Sequence, residues 1–538
     1  MVVKLLGGLA TSSFKLRDIV IVSLLQIAHT QSFSRHLKTG YRLDNVIDMV
    51  YKMQRFSWVD YVVFVFMLAI SAFVGVYWGF LKKQTTQSDY LLGGRNMQVL
   101  PVSMSLVASF ISGITLLGSP TEVYMYGTQY SYIIIGIFLM SIFMTQVYLP
   151  VFHELKITSN YEYLSLRFDN KVRLFGSIVF VIAMYLCYVL NYFFRVILQQ
   201  GGLQAVVWTD VIQITVMMGA MALVAVKGTL DVGGFGVVWS RNMESGWDFN
   251  PTARHTIWNL VIGGLMYWLQ ANSVNQTMVQ RYLALPTLRK AKWAVFLFCI
   301  GISVLYCFCL YCGLLIYARF YDCDPLQTKL AKAKDQLLPL LVMDVLGGIP
   351  GLPGIFLAGI FSAALSSLST SLNSISAVVL EDFYKPFYSK QLSDRQTNWL
   401  LKGVVIVVGV LSLGLTFIVE KLGTILQLTM TLEAITMGPQ LGVFTLGILM
   451  PWVDALVSAI KMIKIIKVLY FLKIDFLRIS NDVITTATCI LWHSLENKWN
   501  SEEKKRRKKR QANHNIVHAP DRSAVERYYY QQSHLYYL

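Results

Sequence analysis

Long apolar runs alternate with short polar ones along most of this chain, at a spacing that predicts helices crossing a bilayer. Roughly twenty apolar residues traverse the hydrocarbon core. By that rule, candidate spans lie near 58–80, 98–118, 129–149, 174–194, 211–226, 256–278, 293–318, 353–380, 401–419 and 424–450, with a weaker one after 453. The expected class is an all-α polytopic membrane protein. Ile19–Ile27 is short and lacks a small-residue cleavage site, so the first full span is expected to serve as its own insertion signal.

The run from Gly359 to Leu380 carries no charge yet is dense in hydroxyls. Ser366, Thr370 and Asn373 fall at i, i+4 and i+7 and share one helix face, flanked by Ser362 and Ser369. Hydroxyls cost less than charges in hydrocarbon but still need partners. With Ala363 and Ala364 alongside, the stripe fits close packing through small residues and equally a path for an oxygen-seeking alkali cation. It ends at Glu381-Asp382-Phe383-Tyr384-Lys385-Pro386, a polar stop with a helix-breaking proline.

Other spans carry interruptions. Pro101 to Pro120 holds Ser103, Ser105, Ser109, Ser112 and Gly113 between two prolines. An unwound turn there would free backbone carbonyls, which a membrane tolerates where they line a cavity or bind an ion. Thr431–Pro439 is expected to be a second interrupted element, with Glu433 nearly alone among acids at membrane depth. Near the inner boundary, Gln270, Asn272, Asn275 and Gln276 form an amide cluster. Amides can hold a solute's carboxylate or brace neighbouring helices. For Asn275 and Gln276 both roles stand, and for Asn272 the structural role is preferred.

Composition sharpens this picture. The chain is 55% hydrophobic and 14% charged, with a mean hydropathy of +0.52, where soluble proteins carry about a quarter charged residues. The net charge of +17 invites a nucleic-acid reading, but much of the excess sits in the run Lys504–Arg510, which reads as a solvated tail near anionic lipid. Nucleic acid is not an expected partner. The seven cysteines show no metal-ligand spacing, and Cys323 alone lies in a polar loop. Gly93-Gly94-Arg95 lacks the downstream Lys-Ser/Thr of a phosphate loop. With no nucleophile elbow or Walker motif, neither an enzyme nor an ATP-driven pump is expected, and no cofactor.

The positive-inside rule orients the spans. Lys82, Lys83 and Arg95, then Lys156, Arg167, Lys171 and Arg173, then Arg281 to Lys292, mark three cytoplasmic loops. Residues before the first span and Tyr317–Pro353 are then outside. One crossing is missing from this scheme. The span near 174–194 should end outside, the span near 211–226 must start inside, and Arg195–Asp210 between them is too polar and glycine-rich to cross. A deleted segment or faulty gene model explains this more simply than a re-entrant stretch.

The chain resembles the sodium:solute symporters, most closely the insect relatives of sodium-coupled monocarboxylate and multivitamin transporters. The matching pieces are Asp89–Arg95, Gly202–Asp210, Asn275–Tyr282, Asp322–Pro325, Pro350–Gly354, Leu365–Ser374 and Glu381–Pro386, and the resemblance covers about 57–451. It implies a leucine-transporter-type inverted-repeat bundle with broken helices. It also implies a sodium site built from the carbonyls of Ala108, Ile111 and Ala363 with the hydroxyls of Ser366 and Ser367. For substrate, a small organic anion, it points to Thr115, Asn275 and Gln276.

The departures are as specific. The resemblance expects a further helix before Gly202, the crossing found missing from charge alone. It expects apolar helices after Trp452, where Ile460–Lys473 instead reads as a basic amphipathic helix on the membrane surface. The expected organisation is therefore an extension of unknown role over 1–56, a bundle over 57–452 interrupted near 191–201, an amphipathic or irregular segment over 453–499, and a basic cytoplasmic tail over 500–538. The expected function is sodium-coupled symport by alternating access across the plasma membrane, with sodium, the organic anion and the lipid bilayer as partners. The competing expectation is a truncated or non-transporting relative. A channel is disfavoured, because no charged ring or repeated pore loop is present.

Overall fold

A computed structural model describes residues 57–77, 87–188, 202–243, 256–387 apart from 329 and 332, 392–419 and 425–450. The expectations for 1–56, for the junction near 191–201 and for 453–538 lie outside the described residues. Every described element is helical. In chain order they are α1 (Trp58–Val76), α2 (Gln87–Leu92), α3 (Val99–Phe110), α4 (Gly113–Tyr126), α5 (Ile133–Phe143), α6 (Leu149–Glu154), α7 (Glu162–Arg167), α8 (Asn170–Tyr188), α9 (Gly202–Val232), α10 (Phe235–Asn242), α11 (Gly264–Leu269), α12 (Gln276–Leu283), α13 (Leu288–Arg319), α14 (Leu337–Leu346), α15 (Leu352–Val378), α16 (Asp394–Val419) and α17 (Ile425–Leu449).

Among the described residues, three helices are long and apolar enough to cross a membrane on their own: Thr128–Glu154, which joins α5 to α6, Leu203–Val232 and Leu288–Arg319. A fourth results if α3 and α4, bent by 61° at their joint, count as one span. Gly202–Asp210, expected to be a polar loop, forms the first turns of α9. The expected interruption at Thr431–Pro439 is absent, since α17 runs continuously through Pro439. A proline withdraws one backbone donor, and a helix embedded among neighbours can absorb that loss.

Hydrogen bonds sort the chain into two ends. At one, Arg95 donates to the carbonyls of Lys156 (2.6 Å) and Ile157 (3.0 Å). There Gln280 reaches the Leu91 carbonyl (2.6 Å) and Arg173 pairs with Asp382 (2.6 Å). Burial pushes the Asp382 carboxyl above the usual carboxylate range, against the pull of Arg173. These are the loops that the charge pattern places together in the cytoplasm. At the other end Tyr124 donates to Asp324 (3.0 Å), and Arg319 pairs with Asp344 (2.5 Å). Asp60 there accepts from the Gly351 and Gly354 amides, both at 3.0 Å, so one carboxylate of α1 caps the start of α15.

This polarity exposes the topology directly. The start of α8 is tied to the basic end by Arg173, and the start of α9 lies at the same end, where Gln204 meets the Gly93 carbonyl at 3.4 Å. At its far end α9 meets α13, with Thr229 and Tyr311 at 2.6 Å, and Arg241 of α10 donates to the Ala318 carbonyl at 2.5 Å. Consecutive spans α8 and α9 therefore leave from the same end, which an ordinary pair of spans joined by a short loop does not do.

Small residues let these helices approach. A Cβ on Gly313 of α13 would lie 2.6 Å from both the Pro120 carbonyl and Val123 of α4, and one on Gly136 of α5 would lie 3.0 Å from the Leu265 backbone. Apolar side chains such as Phe138, Val226, Leu230 and Val304 stay exposed. They border an apolar groove of about 860 Å³ between α5, α9 and α13. That groove suits contact with hydrocarbon tails and lies apart from the polar site described next.

Candidate functional site

Two breaks define the site. The first separates α3 from α4, where Ile111 (φ −76°, ψ 111°) and Ser112 (φ −93°, ψ 162°) are extended. The Ser112 hydroxyl caps α4 by accepting from the Thr115 amide at 3.2 Å and contacts the Thr115 hydroxyl at 3.1 Å. The second break precedes α12, where Asn275 is extended (φ −77°, ψ 117°) and its Oδ1 accepts from the Thr277 amide (3.0 Å) and hydroxyl (2.6 Å). Both residues are N-cap types, which favour extended backbone just ahead of a helix. Gly113 lets the first break press on α15, where a Cβ would meet Ile360 at 3.3 Å.

Against that break lies Ser367 of α15. Its hydroxyl is 3.0 Å from the Ser109 carbonyl, 3.5 Å from that of Ile111 and 3.2 Å from that of Ala363. A hydroxyl has one proton to donate, so it cannot satisfy three carbonyls. The result is a concentration of oxygen with a deficit of donors, the chemistry a hard monovalent cation seeks.

One turn away lies an ion pair that the sequence reading did not anticipate. Arg281 of α12 and Asp210 of α9, both 0% exposed, pair at 3.1 Å. Arg281 was expected in a basic cytoplasmic loop; it is instead fully buried, because α12 carries it back into the bundle. The guanidinium also donates to Ser105 (2.7 Å), Ser109 (2.6 Å), Thr370 and the Thr277 carbonyl (3.1 Å). Asp210 accepts from Ser105 (2.6 Å), Ser109 (3.3 Å) and Ser366 (2.5 Å). The network ties α3, α9, α12 and α15 together. Burying such a pair is tolerable when hydrogen bonds satisfy the remaining lone pairs and protons, and these hydroxyls do that.

Beside both features is a small cavity of about 40 Å³. Ser109, Tyr267, Gln270, Asn275, Thr277 and Glu433 supply its polar wall, and Phe110 and methionines its apolar one. Phe110 stacks on the buried Trp268 with ring centroids 4.1 Å apart, which fixes that wall. The Tyr267 hydroxyl donates to Glu433 at 3.3 Å.

The predicted residues divide accordingly. Ile111, Ala363 and Ser367 meet at the first break. Ala108 is buried in the turn before it, but the carbonyl of that turn facing Ser367 is Ser109's. Ser366 points to Asp210 rather than to the carbonyls. Asn275 borders the cavity. Gln276 does not, since its amide bridges the Thr158 carbonyl (3.0 Å) and the Asn160 amide (2.8 Å), bracing the loop before α7. Thr115 is engaged with Ser112. Asn272 donates to the Trp268 carbonyl at 2.8 Å, the structural role preferred for it. The site residues that sequence reasoning missed are Asp210, Arg281 and Tyr267, and Ser105 was named only within the polar run of the Pro101–Pro120 span. The signal for Asp210 was present, as the one acid near the head of the long apolar run of α9.

Comparisons with known proteins bear on the family and the fold. The sodium:solute symporter family model matches residues 90–195 and 182–456, two matches that overlap over 182–195. The chain is 38% identical over 428 residues to human sodium-coupled monocarboxylate transporter 1, covering 74% of this chain and 70% of that protein. It is 36% identical over 424 residues to the human sodium/iodide cotransporter, covering 73% and 66%. The substrate-bound outward-open structure of a Na+-coupled sialic acid symporter superimposes with a TM-score of 0.70 at 26% identity, covering 81% of this chain and 96% of that one. The architecture is the leucine-transporter-type fold of sodium symporters, and its function class is sodium-coupled symport of small organic solutes. The chain belongs to the sodium:solute symporter family.

Proposed function

We propose that this chain uses the sodium gradient across the plasma membrane to take up a small carboxylate-bearing solute by alternating access. The observation that carries this reading is the Ser367 hydroxyl held among three carbonyls at an unwound helix. In this reading the carbonyls of Ser109, Ile111 and Ala363 and the Ser367 hydroxyl hold the ion, with Ala108 and Ser366 shaping the turn and the stripe around them. Asn275 contacts the solute in the adjoining cavity, while Thr115 and Gln276 act at one remove, by holding the two breaks in shape. Sodium accepts this oxygen set without any carboxylate, so binding stays weak enough for release at each cycle. The carboxylate preference follows the transporters of monocarboxylates that the chain resembles. Ion and solute meet at the same pair of breaks, so filling one site biases the bundle state that fills the other.

The test is uptake of labelled small carboxylates in sodium against choline medium. Ser367→Ala is expected to raise the sodium concentration for half-maximal uptake about tenfold, as a loss of about 1.4 kcal/mol does. Unchanged sodium activation in the Ser366→Ala/Ser367→Ala double variant would overturn the ion assignment. A second reading, a symporter relative that does not transport, is favoured by one observation: α8 and α9 start from the same end. Sodium-dependent uptake by the chain as it stands would exclude that reading.

A further inference from the structure

Glu433 lies outside the oxygen cluster around Ser367 and lines the same cavity as Gln270 and Asn275. Among the described residues, its carboxylate has Tyr267 as its one hydrogen-bond partner, and no basic side chain lines the cavity. The nearby guanidinium of Arg281 is committed to Asp210, Ser105, Ser109 and Thr370. An ionised carboxylate at this depth needs a cation or strong donors facing it.

Asn275, in the same cavity lining, offers the complement. Asn275 spends its Oδ1 on capping α12, which leaves its Nδ2 protons to donate. An amide donor suits a carboxylate oxygen, and Glu433 suits a protonated amine. Charge balance points the same way. One sodium, the Glu433 carboxylate and a zwitterion sum to zero, whereas replacing the zwitterion by a simple carboxylate leaves an uncompensated negative charge beside another in a low-dielectric site.

We propose that Glu433 makes this cavity selective for a short zwitterionic amino-carboxylate, its ammonium on Glu433 and its carboxylate on the Asn275 amide. The proposal rests on the reading of this cavity as the solute site. It narrows the solute class from carboxylates in general to those carrying a cationic group a few bonds away.

β-Alanine and propionate share a carbon skeleton and differ by that ammonium, so they are the probes. Their apparent affinities are measured on the purified full-length chain, in sodium and in choline, by ligand-induced thermal stabilisation. The expected result in sodium is β-alanine binding at least about tenfold tighter than propionate, a difference of about 1.4 kcal/mol. Glu433→Gln is expected to abolish that preference, and Glu433→Asp to retain it. Equal or better binding of propionate by the unsubstituted chain overturns the proposal, and needs no variant to fold. A β-alanine preference untouched by Glu433→Gln overturns it as well. A preference that does depend on Glu433 but is the same in choline as in sodium supports this inference while removing the sodium coupling on which the proposed function rests, so the two fail separately.

Discussion

Ser367 and Asp210 sit on either side of one turn of α3 and face opposite problems. Around Ser367 there are more acceptors than protons, and around Asp210 the donors of four side chains converge on one carboxylate. The first arrangement invites a cation, and the second already contains one in Arg281. Removing one partner of the buried pair leaves an uncompensated charge, so Asp210→Asn is expected to cost about 3–5 kcal/mol. A thermal melt of the purified chain should show it as a clearly lower midpoint, with Asp210→Asn/Arg281→Gln recovering part of the loss. Recovery in the double variant is the decisive feature, because two unrelated lesions would add. Ser366, Thr370 and their shared face were legible from spacing alone. The Asp210–Arg281 pair was not, because its members lie 71 positions apart and no local pattern joins them.

At the scale of elements, the site depends on helices that stop and restart. Each restart is capped by its own side chain, Ser112 for α4 and Asn275 for α12. Asn275→Ala is expected to cost about 1 kcal/mol through the lost cap and to weaken solute binding as well. Comparing melting midpoint with solute affinity separates the two effects. Packing between elements is tight at Gly313, where a methyl group would collide with the Pro120 carbonyl. Gly313→Ala should therefore lose about 1–3 kcal/mol by overpacking, read as a lower midpoint, whereas Gly219→Ala, with open space around it, should not. The break at Ser109–Gly113 was foreseen from its polar cluster. The one foreseen at Thr431–Pro439 was not found, because proline and glycine mark where a helix can break, and its neighbours decide whether it does.

At the scale of the whole molecule, the unusual fact is that α8 and α9 start from the same end of the bundle. An apolar segment of about twenty residues, enough to cross once, inserted after Asn191 should restore the alternation of ends. If the missing crossing limits activity, the lengthened chain will show sodium-dependent uptake well above that of the chain as it stands, at matched surface expression. Equal uptake by both would mean that the bundle closes without it.

The pattern of residues along the chain was enough to establish the class and the hydroxyl stripe of α15, and it supplied the expectations for the orientation of the loops and for a missing crossing. Hydrocarbon imposes each of these locally: apolar length sets a span, flanking lysine and arginine set its direction, and a period of 3.6 sets its faces. Which oxygens converge was decided by tertiary packing alone. The approach of α3 to α15 selects the Ser109 carbonyl over that of Ala108 and turns Ser366 towards Asp210, while α12 carries Arg281 out of its expected loop into the core. Glu433 joins them through a contact with Tyr267 that spans 166 positions. Contacts at such separations depend on how whole helices cross, and a one-dimensional pattern carries no record of the crossing.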